Sequence, residues 1–137
     1  MQTKLGHLVF GIDDKNRGFY RDLLSFLGWQ ILYDAEGMIA AGDSNRVSLW
    51  FGSYTKPVTN DYDGPGLNHF AISTATQADV DQAAAFLAEK GVAHLFETPR
   101  HRPDFAQDEN STYYQVMFET PDRLLVEIVY TGPKSDG

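Results

Sequence analysis

The 137-residue sequence contains no cysteine, so disulfide bonds, thiolate metal sites and cysteine nucleophiles are excluded. This composition is compatible with a reducing compartment. Basic residues are also few: 11 Lys and Arg against 19 Asp and Glu leave a net charge of −8. Because neutralising phosphates requires clustered positive charge, we expect no nucleic-acid partner and little attraction to anionic membranes.

Long apolar runs are missing as well. No stretch approaches the roughly 18 residues of a membrane span, and the N-terminal segment lacks the cleavage pattern of a signal peptide. Apolar residues still make up 42% of the chain, which is enough for the core of one globular domain. We therefore expect a single soluble, cytoplasmic domain over residues 1–137.

The sequence contains the same order of predicted elements twice. Each half begins with an alternating strand, continues with a helix that ends at a glycine, and finishes with three short strands. We predict an α+β fold of two tandem βαβββ modules, with a linker between them and a flexible tail after them. The modules span residues 4–53 and 67–131, the linker residues 54–66 and the tail residues 132–137.

The predicted boundaries follow from turn residues and hydrophobic periodicity. In the first half, strands are expected at residues 4–12, 29–33, 38–41 and 46–52, with a helix from residue 13 to about residue 27. In the second half, strands are expected at residues 67–74, 92–97, 113–119 and 124–130, with a helix over residues 77–90. The polar segment 98–112 is predicted to be a long loop, and such loops are often functional.

Three polar residues, His7, His69 and Glu127, each interrupt an apolar predicted strand. Alternation puts each of them on the face opposite the bulkiest apolar residues of its strand. Because an unpaired buried carboxylate is very costly, we expect the three side chains to converge on a divalent metal ion. The alternative is that the histidines bond the backbone or each other, while Glu127 pairs with an arginine. Three such ligands would leave open positions, as in catalytic Fe²⁺, Mn²⁺, Ni²⁺ or Zn²⁺ sites.

Two aromatic residues are candidates for the same face. Aligning residues 46–51 with 123–128 sets Trp50 against Glu127, where its indole could stack on a planar substrate or fill space. Tyr114 faces Glu127 if residues 120–123 form a four-residue hairpin loop that pairs Glu119 with Leu124. There Tyr114 could donate a proton, or it could be packing, and a one-residue register slip would put Tyr113 in its place.

The predicted loop 98–112 carries the basic cluster Arg100, His101 and Arg102. In an acidic chain these side chains could hold an anionic substrate or form part of a lid. The alternative is a solvated run of loop charges.

Several of these segments together resemble the vicinal oxygen chelate superfamily. They are the strand GHLVFGIDD with its following helix, the strand GLNHFAIS and the ending MFETPDRLLVEIV. The resemblance spans roughly residues 4–131 and implies curved mixed sheets around a cup-shaped site, as in glyoxalase, bleomycin-resistance and dihydroxybiphenyl dioxygenase proteins. It implies metal ligands at His7, His69 and Glu127. The fourth ligand position of glyoxalase I is Trp50 here, and an indole nitrogen cannot bind a metal, so glyoxalase I activity is not expected.

The resemblance implies a divalent-metal-dependent enzyme, a dioxygenase or a lyase/isomerase, whose small oxygenated or aromatic substrate chelates the metal through two adjacent oxygens. The alternative is a metal-free small-molecule-binding protein like the bleomycin-resistance members. A regulatory or structural relative without a small-molecule site is a third possibility. In small members of this family a second chain often completes the cup. We therefore expect a homodimer in which His7 comes from one protomer and His69 and Glu127 from the other.

Overall fold

The computed structural model describes residues 1–135, which form two compact units that divide after Thr59. Each unit contains one four-stranded mixed sheet and one α-helix that packs against it. The order of elements in each unit is βαβββ, so the predicted α+β fold of two tandem modules is confirmed. Neither α-helix among the described residues has the length and hydropathy that crossing a membrane requires.

The first unit has the strand order β1-β4-β3-β2, in which β1 and β4 are parallel and the other pairs are antiparallel. A single 3-10 turn leads into its helix because the Asp13 side chain accepts a hydrogen bond from the Lys15 backbone N–H. The elements are β1 (His7–Gly11), α1 (Arg17–Phe26), β2 (Gln30–Ala35), β3 (Met38–Gly42) and β4 (Ser48–Gly52).

The second unit repeats this topology with the order β5-β8-β7-β6, in which β5 and β8 are parallel. A capping box between Thr76 and Asp79 begins its helix, since each side chain bonds the other residue's backbone N–H. The elements are β5 (Phe70–Ser73), α2 (Gln77–Glu89), β6 (Leu95–His101), β7 (Ser111–Glu119) and β8 (Leu125–Pro133).

Each sheet buries one face under its helix. In the first unit, the ring of Phe51 stacks on Tyr20 of α1 at 4.3 Å and on Phe10 of β1 at 5.2 Å between centroids. In the second unit, α2 presents the buried stripe that its periodicity predicts, and the facing strands supply branched and aromatic side chains. The buried residues there are Val80, Ala83, Ala84, Leu87, Val116, Phe118, Val126 and Ile128.

The registers of the two parallel pairs are equivalent, which supports the internal alignment of the halves. Val9 pairs with Trp50 in the first unit, and Ala71 pairs with Glu127 in the second. Trp50 and Glu127 therefore occupy matching positions. The two histidines match as well, because each lies two residues before the residue that pairs with Trp50 or Glu127.

The bounds of several strands differ from the predicted ones, and those of β6 differ most. We expected a strand over residues 92–97 and a loop over 98–112, but β6 covers Leu95–His101 because a bulge lies between Leu95 and Arg100. The Thr98 hydroxyl bridges this bulge, donating to the Leu95 carbonyl at 2.7 Å and accepting from Met117 N at 2.9 Å. β8 continues to Pro133, two residues into the predicted tail, whose last two residues lie outside the described part of the chain.

Candidate metal and substrate site

The structure brings together two of the three predicted ligands, His69 and Glu127. His69 lies directly before β5, and Glu127 lies on β8, the parallel partner of β5. His69 Nε2 is 3.1 Å from Glu127 Oε2. The carboxylate is buried, with 3% of Glu127 exposed, whereas the imidazole keeps 37% of its side-chain surface accessible. A buried carboxylate thus meets the edge of an accessible imidazole.

Asn68 determines which nitrogen of His69 carries a proton. Its Nδ2 donates to the backbone carbonyl of Tyr62 at 2.9 Å, so its Oδ1 must be the atom that lies 2.7 Å from His69 Nδ1. An amide oxygen can only accept a hydrogen bond, so Nδ1 is the protonated nitrogen. Nε2 therefore faces Glu127 Oε2 in one of two forms: as the second N–H of an imidazolium, or as a lone pair that can accept a proton from the carboxyl group or bind a cation. A hydrogen bond from the distal ring nitrogen to a neighbouring acceptor, as made here by Asn68, commonly orients metal-binding histidines.

Tyr113 holds the other oxygen of the same carboxylate. Its hydroxyl donates a hydrogen bond to Glu127 Oε1. Burial, and then the bond to Glu127, raise the pKa of Tyr113 to about 12, so the hydroxyl remains a donor at neutral pH. Oε1 is thereby occupied, and Oε2 is the oxygen directed at His69.

The register that placed Tyr114 beside Glu127 was wrong. Glu119 pairs with Leu125 instead of Leu124, so the hairpin loop has five residues and not four. Thr120 N donates to the Leu124 carbonyl at 2.9 Å, and Arg123 takes the left-handed conformation with φ 59°. Because successive side chains of a strand alternate between faces, this one-residue shift turns Tyr113 towards Glu127.

Tyr114 lies on the helix-facing side of the sheet. Its hydroxyl donates to Asp81 Oδ1 of α2 at 2.6 Å. Burial, followed by this hydrogen bond, raises the pKa of Tyr114 to about 12. The structure therefore places the catalytic candidate of the sequence on the opposite face from Glu127.

His7 and Trp50 belong to the first unit and share one face of its sheet. His7 begins β1, is exposed and pairs with Ser48. Trp50 is half-buried, and its Nε1 donates to Ser48 Oγ at 2.9 Å. The bond satisfies the single polar atom of the indole, so the ring presents an apolar surface beside Val9.

The donor set of His69 and Glu127 suits a divalent metal. Two ligands about 2.1 Å from one ion and at a right angle are about 3 Å apart, which fits the 3.1 Å between Nε2 and Oε2. Imidazole and carboxylate are ligands of Zn²⁺, Mn²⁺ and non-haem Fe²⁺. Within residues 1–135, no group of three or more His, Cys, Asp or Glu side chains is arranged to hold an ion. His7 as the third ligand remains a prediction.

Trp50, Arg100 and His101 were the residues predicted to line a substrate pocket, and the two of them on β6 fall on different faces. Arg100 is exposed, pairs with Gln115 and has Glu97 Oε2 at 3.8 Å from its Nη1. His101 pairs with Tyr114 and hydrogen-bonds the Thr112 hydroxyl, which puts it on the face away from Glu127.

Sequence reasoning missed the contacts that Asn68 and Gln115 make around the His69–Glu127 pair. It named Tyr113 only for a shifted register and Arg102 only as a member of the basic cluster. The polar spacing Tyr113-x-Gln115 along a predicted strand was the available signal for Gln115.

The chain is therefore a protein of two βαβββ units, with a histidine–glutamate pair on one face of its second sheet. The model of the Glyoxalase/Bleomycin resistance protein/Dioxygenase superfamily matches residues 4–128, and the chain belongs to this superfamily. No curated protein sequence matches the chain.

Solved structures agree with this assignment. A glyoxalase candidate from Bacillus halodurans is 28% identical with a TM-score of 0.76, over 94% of this chain and 96% of that one. The oxidase ChaP-H2 is 19% identical over 100% of both chains, with a TM-score of 0.61. TnmS3, an antibiotic binding protein from Streptomyces sp. CB03234, is 20% identical over 97% and 98% of the two chains, with a TM-score of 0.61. The last two likenesses show the fold alone.

Proposed function

We propose that this protein is a divalent-metal-dependent enzyme that acts on a small oxygenated or aromatic molecule. The observation that carries the proposal is the contact at 3.1 Å between His69 Nε2 and the buried Glu127 carboxylate. Because Asn68 accepts the proton of Nδ1, the Nε2 lone pair is directed towards that carboxylate whenever the imidazole is neutral. A divalent cation between the two atoms would satisfy both.

His69 and Glu127 would supply two ligands, and His7 of a second copy of the chain would supply the third in a homodimer. When bound, the ion acts as a Lewis acid towards a substrate that chelates it through two adjacent oxygens. Two imidazoles and one carboxylate suit Fe²⁺, Mn²⁺, Ni²⁺ or Zn²⁺, which is compatible with a dioxygenase or a lyase/isomerase. Trp50, at the position equivalent to Glu127, makes glyoxalase I activity the less favoured reaction.

The neighbouring residues of the chain would keep the ligands in position. Asn68 Oδ1 accepts a hydrogen bond from Nδ1 of His69, and the Tyr113 hydroxyl donates one to Oε1 of Glu127. Since the raised pKa of Tyr113, about 12, keeps its hydroxyl protonated at neutral pH, Oε2 stays available to an ion. Together these bonds limit the rotation of both ligand side chains before any ion binds.

The test is the metal affinity of the protein, purified without a histidine tag and loaded in turn with Fe²⁺, Mn²⁺, Ni²⁺ and Zn²⁺. His69→Ala and Glu127→Gln should each weaken the binding of the preferred ion by at least about tenfold, because each removes one ligand. His94→Ala is the matched control, since His94 Nε2 bonds the Ala84 carbonyl. Negligible binding of all four ions, or unchanged binding by His69→Ala, would end the proposal.

The same assay tests which chain supplies His7. Mixing His7→Ala chains with Glu127→Gln chains after dissociation should recover about a quarter of the wild-type sites, because half of the random dimers contain one intact site of two. Recovery of none would assign His7 to its own chain, whereas undiminished metal binding by His7→Ala chains alone would remove His7 from the site.

A metal-free binding protein is the alternative, and the open face of the first sheet favours it. Val9 and Tyr33 are 50% and 49% exposed, and register puts both on the face of Trp50. The likeness to an antibiotic binding protein is compatible with such a surface. A planar organic cation such as proflavine, bound equally well with and without EDTA by a protein that retains no metal, would support this alternative.

A further inference from the structure

Arg102 extends the pairing of β6 with β7 by one residue. Its backbone N–H donates to the Tyr113 carbonyl at 2.7 Å, which follows the pairing of His101 with Tyr114. Since directly opposed residues of a sheet lie on the same face, Arg102 shares the face of Tyr113, Gln115 and Glu127. The bulge in β6 places Arg102 on this face, because the bulge shifts the pairing of β6 with β7 after Leu95.

Two uncharged groups fix the Arg102 side chain. Nη1 donates to Gln115 Oε1 at 3.1 Å, and Gln115 is itself only 2% exposed. The guanidinium carbon lies 4.9 Å from the centre of the Phe105 ring, a cation–π distance. A long side chain is thus held in one place by a buried amide and an aromatic ring.

No carboxylate among the described residues pairs with Arg102. By contrast, Arg100 has Glu97 at 3.8 Å and Arg123 has Glu119 at 3.7 Å in the same unit. The chain has 19 acidic and only 11 basic residues, so carboxylate partners are plentiful, and yet the half-buried Arg102 is paired with none of those described. Its remaining N–H donors form a planar fork that matches two oxygens of an anion.

A chain of side-chain contacts connects Arg102 to the His69–Glu127 pair. The Phe105 ring beneath the guanidinium contacts Tyr113 edge-on, with 5.4 Å between centroids, and the Tyr113 hydroxyl bonds Glu127. The guanidinium is therefore linked, through two aromatic rings, to the carboxylate that is proposed as a metal ligand.

We propose that Arg102 binds a terminal oxyanion of the substrate, a carboxylate or a phosphate group, beside the His69–Glu127 pair. This inference rests on the proposed function, and it narrows the substrate class to small anions that also carry two adjacent oxygens. Gln115 and Phe105 orient the guanidinium before the anion arrives, so less conformational entropy is lost on binding.

The experiment compares probes that differ only in the terminal group. Calorimetry on the Mn²⁺-loaded protein would measure the affinities of 3,4-dihydroxybenzoate, 3,4-dihydroxyphenylphosphonate and the uncharged 3,4-dihydroxybenzamide. The wild-type protein should prefer at least one anion over the amide by about tenfold or more, as expected of a charge-assisted hydrogen bond. The benzoate and phosphonate arms decide which oxyanion the site takes.

Arg102→Gln should bring the affinities for anion and amide close together, and Arg102→Lys should retain part of the preference because it keeps the charge without the planar fork. Arg100→Gln, which removes a neighbouring charge on the same face, should keep the full preference. Equal affinity for all probes in the wild-type protein overturns the proposal. So does an undiminished preference in Arg102→Gln, or an equal loss in Arg100→Gln.

Repeating the comparison with benzoate and benzamide on EDTA-treated protein separates this proposal from the metal site. A preference for benzoate that Arg102→Gln abolishes, in a protein that binds no metal, would support the role of Arg102 while the proposed function fails. Metal binding that His69→Ala removes, without any preference for anions, would leave the proposed function standing and overturn the role of Arg102.

Discussion

Replacing Tyr113 with phenylalanine removes one hydroxyl and keeps the ring that contacts Phe105. The hydroxyl donates to Oε1 of a carboxylate that is 3% exposed, so water cannot readily replace it. A buried charged group that loses one hydrogen-bond partner destabilises a protein by about 2 kcal/mol. With a typical unfolding entropy for this chain length, that change lowers Tm by about 7 °C.

The adjacent residue provides a matched control. Tyr114→Phe also removes a hydroxyl that donates to a carboxylate, but Asp81 is exposed and water can take the place of the lost donor. We expect this variant to lose less than about 1 kcal/mol. The comparison therefore isolates the burial of the acceptor, because the chemical change is the same.

Urea unfolding of both variants, free of metal, measures the difference, and metal affinity gives a second readout. Tyr113→Phe should bind metal about tenfold more weakly, since it removes a bond to a proposed ligand, while Tyr114→Phe should bind as the wild-type protein does. If Tyr113→Phe costs no more stability than Tyr114→Phe, the account of a buried carboxylate that depends on Tyr113 is refuted.

Two further predictions concern alkaline stability and the segment after β4. The pKa values of Tyr113 and Tyr114 are about 12, raised from 10.0, so the unfolded chain loses these protons at lower pH than the folded one. The free energy of unfolding should therefore fall as the pH rises from about 10 to about 12, and an equally steep fall in the double Phe variant would contradict this reasoning. At Gly11, an alanine Cβ would overlap Cγ2 of Thr55, so Gly11→Ala should cost about 1–3 kcal/mol in thermal or urea unfolding. Adding Thr55→Gly should restore most of that loss, and full stability of Gly11→Ala alone would show that the contact is easily displaced.

Alternation along the strands predicted which side chains face α2 and which face away from it. The apolar residues Ile72 and Val126 are buried on one face of the sheet, and His69 meets Glu127 on the other. The prediction worked because burial of one sheet face fixes the strand register, so a period of two residues suffices to assign sides.

The hairpin loop before β8 could not be predicted in this way. Its five residues depend on Arg123 in a left-handed conformation and on the Thr120 hydroxyl, which accepts from Leu124 N at 3.1 Å. Left-handed turns are usually indicated by glycine or asparagine, and neither occurs there. The shorter loop that the sequence favoured exchanged Tyr113 with Tyr114.

The bulge in β6 escaped prediction for the same physical reason. Phe96 and Glu97 have φ values of 57° and 60°, which are strained for residues with a Cβ and have no local signal in the sequence. Without that bulge, Arg102 would not lie opposite Tyr113. The orientation of His69 depends on Asn68, whose side chain is bonded to the carbonyl of Tyr62 in the preceding linker, and strand periodicity does not predict such a contact.

If the proposed metal site is correct, the matching positions of Trp50 and Glu127 in the two registers set the number of ions that each chain can bind. An acidic side chain at both positions would have given each chain two carboxylate ligands of this kind. One repeat carries an indole, already bonded to Ser48, so saturation should be reached at a single equivalent of metal per polypeptide.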